Sequence, residues 1–283
     1  MMKRIFCTIL LAFILLPAPA WTGDIPLAKS LGAEAFIVRG TKAGLWEKTL
    51  FVRFGEARRT LSTYSGFVDA AAVVNHAAHP SLWVKVSTEM KSGGEDGGKV
   101  YLRTVKKAAA ARVGTTVERI AVTGTAADMD NLAVAVRTFG PITVGALATA
   151  GAKTNALRAG VDEGTYMEGM EPKGTVNIIV LTNAMLTDGA MARAIVTVTE
   201  AKTAAFEDLH VPSSYTKGVQ ATGTGTDSVI VVSGTTGPAV TYTGGHSRIG
   251  ELMAKAVYAA VAEALEKQNG FKKRPAHTAG QPQ

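Results

Sequence analysis

Residues 174–209, GTVNIIVLTNAMLTDGAMARAIVTVTEAKTAAFEDL, decide the fold. The first part, Thr175 to Leu181, is a short apolar run, which predicts a buried strand. Turn residues of the types Asn, Thr, Asp and Gly follow, and about twenty residues without a breaker then predict a helix. This one segment leads the chain from a sheet into a helix, so the fold combines both.

The predicted helix carries a charged side chain on its apolar face. At about 100° per residue, four apolar residues share one stripe: Met191, Ile195, Val198 and Leu209. Lys202 falls in the middle of that stripe, and Glu200 lies on the opposite side. An ammonium group in apolar surroundings is costly unless it is paired, reaches solvent or loses its proton. We therefore expect a partner close to Lys202.

The composition is that of an ordinary globular protein. The 283 residues are 47% hydrophobic and 19% charged, which allows one large domain or two small ones. The net charge of +7 is scattered and forms no basic stripe, a pattern that argues against nucleic-acid binding. Because the sequence has no fixed-period repeat and no strong linker, we predict a single domain and leave a homo-oligomer open.

The N-terminus has the layout of a secretory signal peptide. Lys3 and Arg4 precede the apolar run Ile5 to Leu16, and the small residues of Pro17 to Ala20 follow. The apolar run is too short to span a bilayer. Cleavage near Ala20 predicts an exported, periplasmic protein, and a membrane becomes a partner only if the segment stays uncleaved.

The domain boundaries follow from this layout. We predict a signal peptide (1–20), an N-terminal lead (21–34), one domain (35–268) and a disordered tail (269–283). The only cysteine, Cys7, lies in the signal peptide, so cleavage leaves a chain without thiol chemistry.

Short strands separated by glycine turns open the domain. Phe36 to Arg39, Leu45 to Phe54 and Arg58 to Ser62 predict an antiparallel meander. Gly66 to Ala78 fits either a strand or a helix, and Ser92 to Lys99 predicts a flexible loop. The predicted fold class is α/β to α+β, a single domain of mixed β-sheet packed with helices and entered by an N-terminal antiparallel meander. Further strands are predicted at Arg119 to Thr123, Ile142 to Thr149, Asp227 to Ser233 and Ala239 to Thr243, and helices at Val100 to Val113 and Ser247 to Lys267.

Four segments of the sequence are close to familiar functional motifs but do not match them. Gly145 to Thr154 ends like a phosphate loop, but its glycine spacing is one residue too long. Gly223 to Ser228 lacks the third glycine of a dinucleotide fingerprint and precedes a strand, and Gly245 to Gly250 has one residue too many for a nucleophile elbow. His76 and His79 have the spacing of a helical metal pair but no acidic neighbour, so we predict no metal.

Polar residues remain at strand ends and helix starts. They are Asn75, Asn155, Asn177, Asp188, Thr224, Thr226, Asp227, His246 and Ser247. Each one fits turn and cap chemistry when taken alone. Taken together they also fit a binding site, because loops beyond strand ends bring backbone groups and helix N-termini together.

At these segments the sequence resembles the adenosylcobinamide amidohydrolases of corrinoid salvage. The resemblance covers most of the chain from about Ala35 to Lys267, and its blocks lie in the order of the family. The blocks are LSTYSGFVDAAAVVNH (Leu61 to His76), TAGAKTNALRAG (Thr149 to Gly160), GTVNIIVLTNAMLTDGAMARAIVTVTEAKTAA (Gly174 to Ala205), ATGTGTDSVIVVSG (Ala221 to Gly234) and YTGGHSRIGELMAKAVYAA (Tyr242 to Ala260).

The resemblance implies hydrolysis of the amide between aminopropanol and the corrin ring of adenosylcobinamide, which gives adenosylcobyric acid for coenzyme B12. The cobalt-containing corrinoid is then the substrate, and no cofactor is implied with certainty. Two features depart from the family: an export signal is atypical for a step described as cytoplasmic, and the glycine-rich loop at 92–98 looks like an insertion.

Such a reaction requires water activation, oxyanion stabilisation and protonation of the amine. The hypothesis is a directly activated water with Asp227 as base and Glu200 as the alternative base. Lys202 is expected to keep the carboxylate ionised or to stabilise the oxyanion, and His246 to act as general acid. The remaining polar residues are predicted to bind substrate: Asn75, Asn155, Asn177, Asp188, Thr224, Thr226 and Ser247.

Two other functions fit the same sequence. An exported corrinoid-binding protein would bind adenosylcobinamide without consuming it. An amidase for another bulky amide would turn over a different substrate.

Overall fold

A computed structural model describes residues 22–91, 93–164 and 174–273. Within these ranges the helices are α1 (Pro80–Glu89), α2 (Gly97–Val113), α3 (Asp188–Asp208) and α4 (Arg248–Asn269). The strands are β1 (Thr22–Ile25), β2 (Ala33–Lys42), β3 (Leu45–Ser62), β4 (Gly66–Ala78), β5 (Ile120–Thr125), β6 (Ala133–Phe139), β7 (Ile142–Ala150), β8 (Ala156–Leu157), β9 (Val176–Thr182), β10 (Met185–Leu186), β11 (Gly223–Thr224), β12 (Ser228–Val232) and β13 (Ala239–Val240).

The main sheet is built around the long strand β3. One edge of β3 pairs with β2 along its first half and with β12 at its end, and the other edge pairs with β4. The order of the path is β1-β2-β3-β12-β9-β7-β6, and β5 adds to β4. The β4–β5 and β12–β9 pairs are parallel, whereas the other pairs are antiparallel. A register shift between Arg53 and Arg58 allows β3 to bend, and the sheet curls.

Strand β9 lies between two apolar cores. Ile178 and Val180 belong to the core under α3 and α4, while Ile179 and Leu181 belong to the core inside the curl. Alternate side chains point to opposite faces of a strand. Because both faces of β9 are buried, its residues form a continuous apolar run, which is the pattern that predicted the strand.

Helix α3 places its predicted stripe inward. Thr187 caps the helix by accepting a hydrogen bond from the N–H of Ala190. Met191, Val198 and Lys202 are buried, and Glu200 is exposed. The predicted orientation of this helix is confirmed. Ser247 likewise caps α4, as predicted, by accepting from the N–H of Gly250.

The predicted fold class is confirmed: one domain of mixed sheet with helices, entered by antiparallel strands. Two predicted strands, Leu45 to Phe54 and Arg58 to Ser62, are one bent strand, and the ambiguous Gly66 to Ala78 is strand β4. The predicted lead contributes β1, which pairs with β2.

Two predicted segments lie wholly or partly outside the described residues. The signal peptide, 1–20, is not among them, and of the tail, 269–283, only residues 269–273 are. In the described part of the chain, no helix is both long enough and apolar enough to cross a membrane.

Candidate active site

The buried ammonium of α3 has its partner. Lys202 forms an ion pair with Asp227, which immediately precedes β12, and only 10% and 15% of the two side chains are exposed. The Asp227 carboxylate also accepts hydrogen bonds from Val176 N (3.1 Å), Thr224 N (3.1 Å) and the Thr224 hydroxyl. The predicted partnership of Asp227 with Lys202 is therefore confirmed, and it ties helix α3 to the starts of β9 and β12.

Gly223 makes this arrangement possible. A Cβ at this position would collide with Lys202 Nζ and Asp227 Oδ2. The GTGTD segment thus needs its first glycine because the backbone runs directly over the ion pair.

Asn155 holds the next part of the same loop. Its Nδ2 donates to the Gly174 carbonyl (2.8 Å) and to the Thr226 hydroxyl (3.4 Å), and its Oδ1 accepts from the Tyr215 hydroxyl (2.8 Å). Thr175 donates to the Thr226 carbonyl at 2.6 Å. These bonds fix the segments 174–175 and 224–227 side by side.

A buried cluster of polar side chains links strands β4 and β5 to strands β7 and β9. Asn177 Nδ2 donates to Asn75 Oδ1 (2.9 Å) and to the Gly124 carbonyl (2.9 Å), and Asn75 Nδ2 donates to the Thr149 hydroxyl (2.9 Å). Asn75, Asn177 and Thr149 are each 1% exposed. Buried amides with satisfied bonds lock one arrangement of the strands. Asn75 and Asn177, predicted to bind substrate, are therefore placed behind the site as supports.

A cleft lies between these loops and the start of α2. Two adjoining hollows of about 240 and 320 Å³ form it. Both hollows share the same wall residues: Tyr64, Asp96, Lys99, Leu102, Gly124 and Thr226. Trp83 and Thr175 line the first hollow, and Asp227 lines the second.

Asp96 is the carboxylate at the α2 side of this cleft. Its Oδ1 caps the helix by accepting from Gly98 N (2.8 Å) and Lys99 N (3.3 Å). From the described residues, its Oδ2 accepts no hydrogen bond. Asp96 therefore has an oxygen that can bind a water, whereas both oxygens of Asp227 already accept bonds.

The prediction that His246 shares an opening with Asp227 is wrong. His246 is exposed, two residues before α4, whereas Asn269 at the other end of that helix lines a third hollow beside Gly174. A helix of 22 residues spans about 33 Å. His246 and the cap residue Ser247 therefore lie at the opposite end of the sheet from the cleft.

Asp188 and Glu200 also lie away from the cleft. Asp188 starts α3 and pairs with Arg59 at 2.8 Å, fourteen residues before Lys202 in sequence. That separation is about 21 Å along the helix axis. Glu200 is exposed on the face of α3 opposite Lys202, as predicted. Neither of these two carboxylates lines the cleft.

Asp96 and Lys99 were not predicted from the sequence, because the glycines around them indicated a flexible loop that looks like an insertion. In the structure Asp96 is instead the N-cap of α2, and Lys99 lies in the first turn of that helix. The available signal was the N-cap itself: an Asp directly before a helical segment. The structure also places the two histidines: His76 is buried, and the ring of His79 accepts a hydrogen bond from Ser81 N. Among the described residues, no group of three or more His, Cys, Asp or Glu side chains has the arrangement of a metal site.

Comparison with known proteins gives three findings. The chain matches the family model described as adenosylcobinamide amidohydrolase over residues 36–273. It is 46% identical over 239 residues to "Uncharacterized protein MJ1613" of Methanocaldococcus jannaschii, covering 80% of this chain and 88% of that protein. The crystal structure of the PH0078 protein from Pyrococcus horikoshii OT3 aligns with a TM-score of 0.45 and 12% identity over 88% of this chain and 89% of that one, too distantly to support an argument. Because the family model spans most of the sequence, the chain belongs to the adenosylcobinamide amidohydrolase family.

Proposed function

We propose that this chain hydrolyses the amide joining aminopropanol to the corrin ring of adenosylcobinamide and releases adenosylcobyric acid. The family supports amide hydrolysis as the reaction class. The observation that carries the proposal is the meeting of separate family segments at one cleft. Tyr64, Thr175 and Thr226 come from three different segments and line the same hollow.

The shape of the cleft suits a large substrate that enters in part. Hollows of about 240 and 320 Å³ are smaller than a corrin ring with its side chains. Only the arm with the aminopropanol amide would enter, while the ring would rest outside. Tyr64 is half exposed and lines both hollows, so it offers apolar surface to the ring edge, whereas Trp83 lines the first hollow, which the arm would enter. The corrinoid is the substrate in this proposal.

The chemistry assigned to the cleft is direct attack by water. The free oxygen of Asp96 accepts a proton from water as it attacks the amide carbonyl. The Lys99 ammonium, on the same wall, stabilises the oxyanion that forms. Asp96 then returns its proton to the nitrogen as the C–N bond breaks, which releases aminopropanol as a neutral amine and leaves the corrin carboxylic acid.

Asp227 has a positioning role in this proposal, in place of the base predicted from the sequence. Its four donors include the ammonium of Lys202. These donors occupy both carboxylate oxygens, so neither oxygen is left to hold an attacking water in the cleft. The pair instead keeps Thr226 and its backbone at the cleft wall.

The test is a turnover assay with the purified chain. Incubation with adenosylcobinamide should yield adenosylcobyric acid and free aminopropanol by mass spectrometry, with and without chelator. Binding without products would support the corrinoid-binding protein. Absence of both binding and products, with hydrolysis of another bulky amide, would support the other amidase.

We further propose that the chain is exported and cleaved near Ala20. The supporting observation is the order of Lys3, Arg4, the apolar run and the small residues that follow it. N-terminal sequencing of the protein from a periplasmic fraction should begin at Trp21. A full-length chain found only in the cytoplasmic fraction would contradict export.

A further inference from the structure

The third hollow, beside Gly174, adjoins the cleft. It encloses about 330 Å³, and Ala126 and Gly174 line both this hollow and the first hollow of the cleft. The start of α1, the segment after β7 and the last residues of α4 complete its wall. A substrate bound in the cleft can therefore place a second group in the third hollow.

Two hydrogen-bond donors in the wall of the third hollow are unused. Lys153 is exposed, and its ammonium group has no hydrogen bond or ion pair with the residues that the structure describes. Gln268 Oε1 accepts from the N–H of Asp128 (3.0 Å) and from Asn131 Nδ2 (2.7 Å). Because a backbone N–H only donates, the first bond identifies the oxygen of this amide, and Gln268 Nε2 remains as a donor without an acceptor in the described part of the chain.

The amide oxygens in the same wall are already occupied. Asn269 Oδ1 accepts from the N–H of Ala152 at 2.8 Å, and Gln268 Oε1 has its two donors. No carboxylate is present among the described residues of the wall. The ligand group that fits this hollow is therefore a hydrogen-bond acceptor.

The position of the third hollow favours a neutral acceptor over an anion. Gln268 and Asn269 are the last two residues of α4, and the carbonyl end of a helix carries a partial negative charge. Pro80, Ala126 and Ala127 add apolar surface. The carbonyl oxygen of an amide, carried on a short aliphatic chain, matches both the donors and the apolar surface.

We propose that Lys153 and Gln268 bind the carbonyl oxygen of a second amide arm of the corrin ring, beside the arm that is cleaved. This inference rests on the proposed function, because it takes a corrinoid as the substrate. The edge of the ring carries several amide arms, so a ring resting outside the cleft presents one arm to the first hollow and another to the third. Recognition of a second arm selects a corrinoid over a small amide.

Equilibrium binding of adenosylcobyric acid tests this subsite without turnover. This product keeps the other amide arms and lacks aminopropanol. In a calorimetric titration, Lys153→Met should weaken its binding by about tenfold, because a hydrogen bond from a charged group is lost. Lys217→Met is the matched control, since Lys217 is also exposed and lines neither the third hollow nor the cleft. Unchanged affinity in Lys153→Met, or an equal loss in both variants, would overturn the subsite.

Kinetics with adenosylcobinamide separate this inference from the proposed function. In Lys153→Met, KM should rise by about the same factor while kcat stays within about twofold, because the second arm does not react. A lower kcat with an unchanged KM would place Lys153 at the reacting amide and contradict the subsite. Wild-type kinetics in this variant would overturn the subsite and leave the proposed function standing. If the wild-type protein neither bound nor hydrolysed the corrinoid, the proposed function would fail and the subsite with it.

Discussion

The ion pair between Lys202 and Asp227 should be a main contributor to stability. Asp227→Ala leaves the Lys202 ammonium, in a side chain only 10% exposed, without its partner. Removal of one member of a buried pair costs about 3–5 kcal/mol. Lys202→Met leaves the carboxylate with its donors from Val176 and Thr224, so its cost should be smaller, about 1–3 kcal/mol.

Urea unfolding followed by circular dichroism measures these free energies. The double variant should cost less than the sum of the single variants by about 1–3 kcal/mol, because Lys202 and Asp227 interact directly. Lys255→Met provides the control: its partner Glu251 is on the surface of α4, and an exposed pair contributes about 0–1 kcal/mol. If Asp227→Ala cost no more than Lys255→Met, or if the cycle gave no coupling, the ion pair would not hold the loop as described.

Three further predictions concern His76, His246 and Asn177. Burial, together with the positive charge of Lys42, lowers the pKa of His76 to about 4, so the unfolded state binds more protons than the folded state between about pH 4 and 6.5. Stability should therefore fall by about 3 kcal/mol as the pH drops through that window, and His76→Gln should remove this slope in urea unfolding. His246→Gln should leave the turnover rate within about twofold of the wild-type rate. Loss of a general acid would lower the rate by about 10²–10⁴-fold, and a loss of that size would mean that His246 takes part in the reaction. Asn177→Ala removes the donor to Asn75 and Gly124, and should cost about 1–3 kcal/mol in the same unfolding assay; an unchanged midpoint would mean that this bridge does not join the sheet.

The sequence predicted elements whose patterns are local. The strand and helix within residues 174–209 and the helix α4 follow from apolar periodicity and caps, because all three elements lie directly on the cores. Strand β3 was predicted as two strands, since Gly55 resembles a turn. Pairing along both edges keeps it as one strand with a register shift. Such long-range pairing leaves no local signal.

Only part of the site was predicted from the sequence, because only part of it has a local signal. A lysine on an apolar stripe requires a partner, and the structure supplies Asp227 as that partner. The sequence did not indicate which end of the sheet holds the site. Strands β9 and β12 are parallel, so Asn177 and Asp227 meet at their amino ends. His246 follows β12 and β13 and lies beyond the carboxyl ends, so it joins the other edge.

The most direct test of the cleft is the turnover number of Asp96→Asn. Asparagine caps a helix as well as aspartate does, so the start of α2 and its stability should be retained while the proton acceptor is removed. With adenosylcobinamide as substrate, we expect a loss of about 10²–10⁴-fold in kcat and an unchanged unfolding midpoint. Turnover at the wild-type rate in this folded variant would contradict the assignment of the chemistry to Asp96.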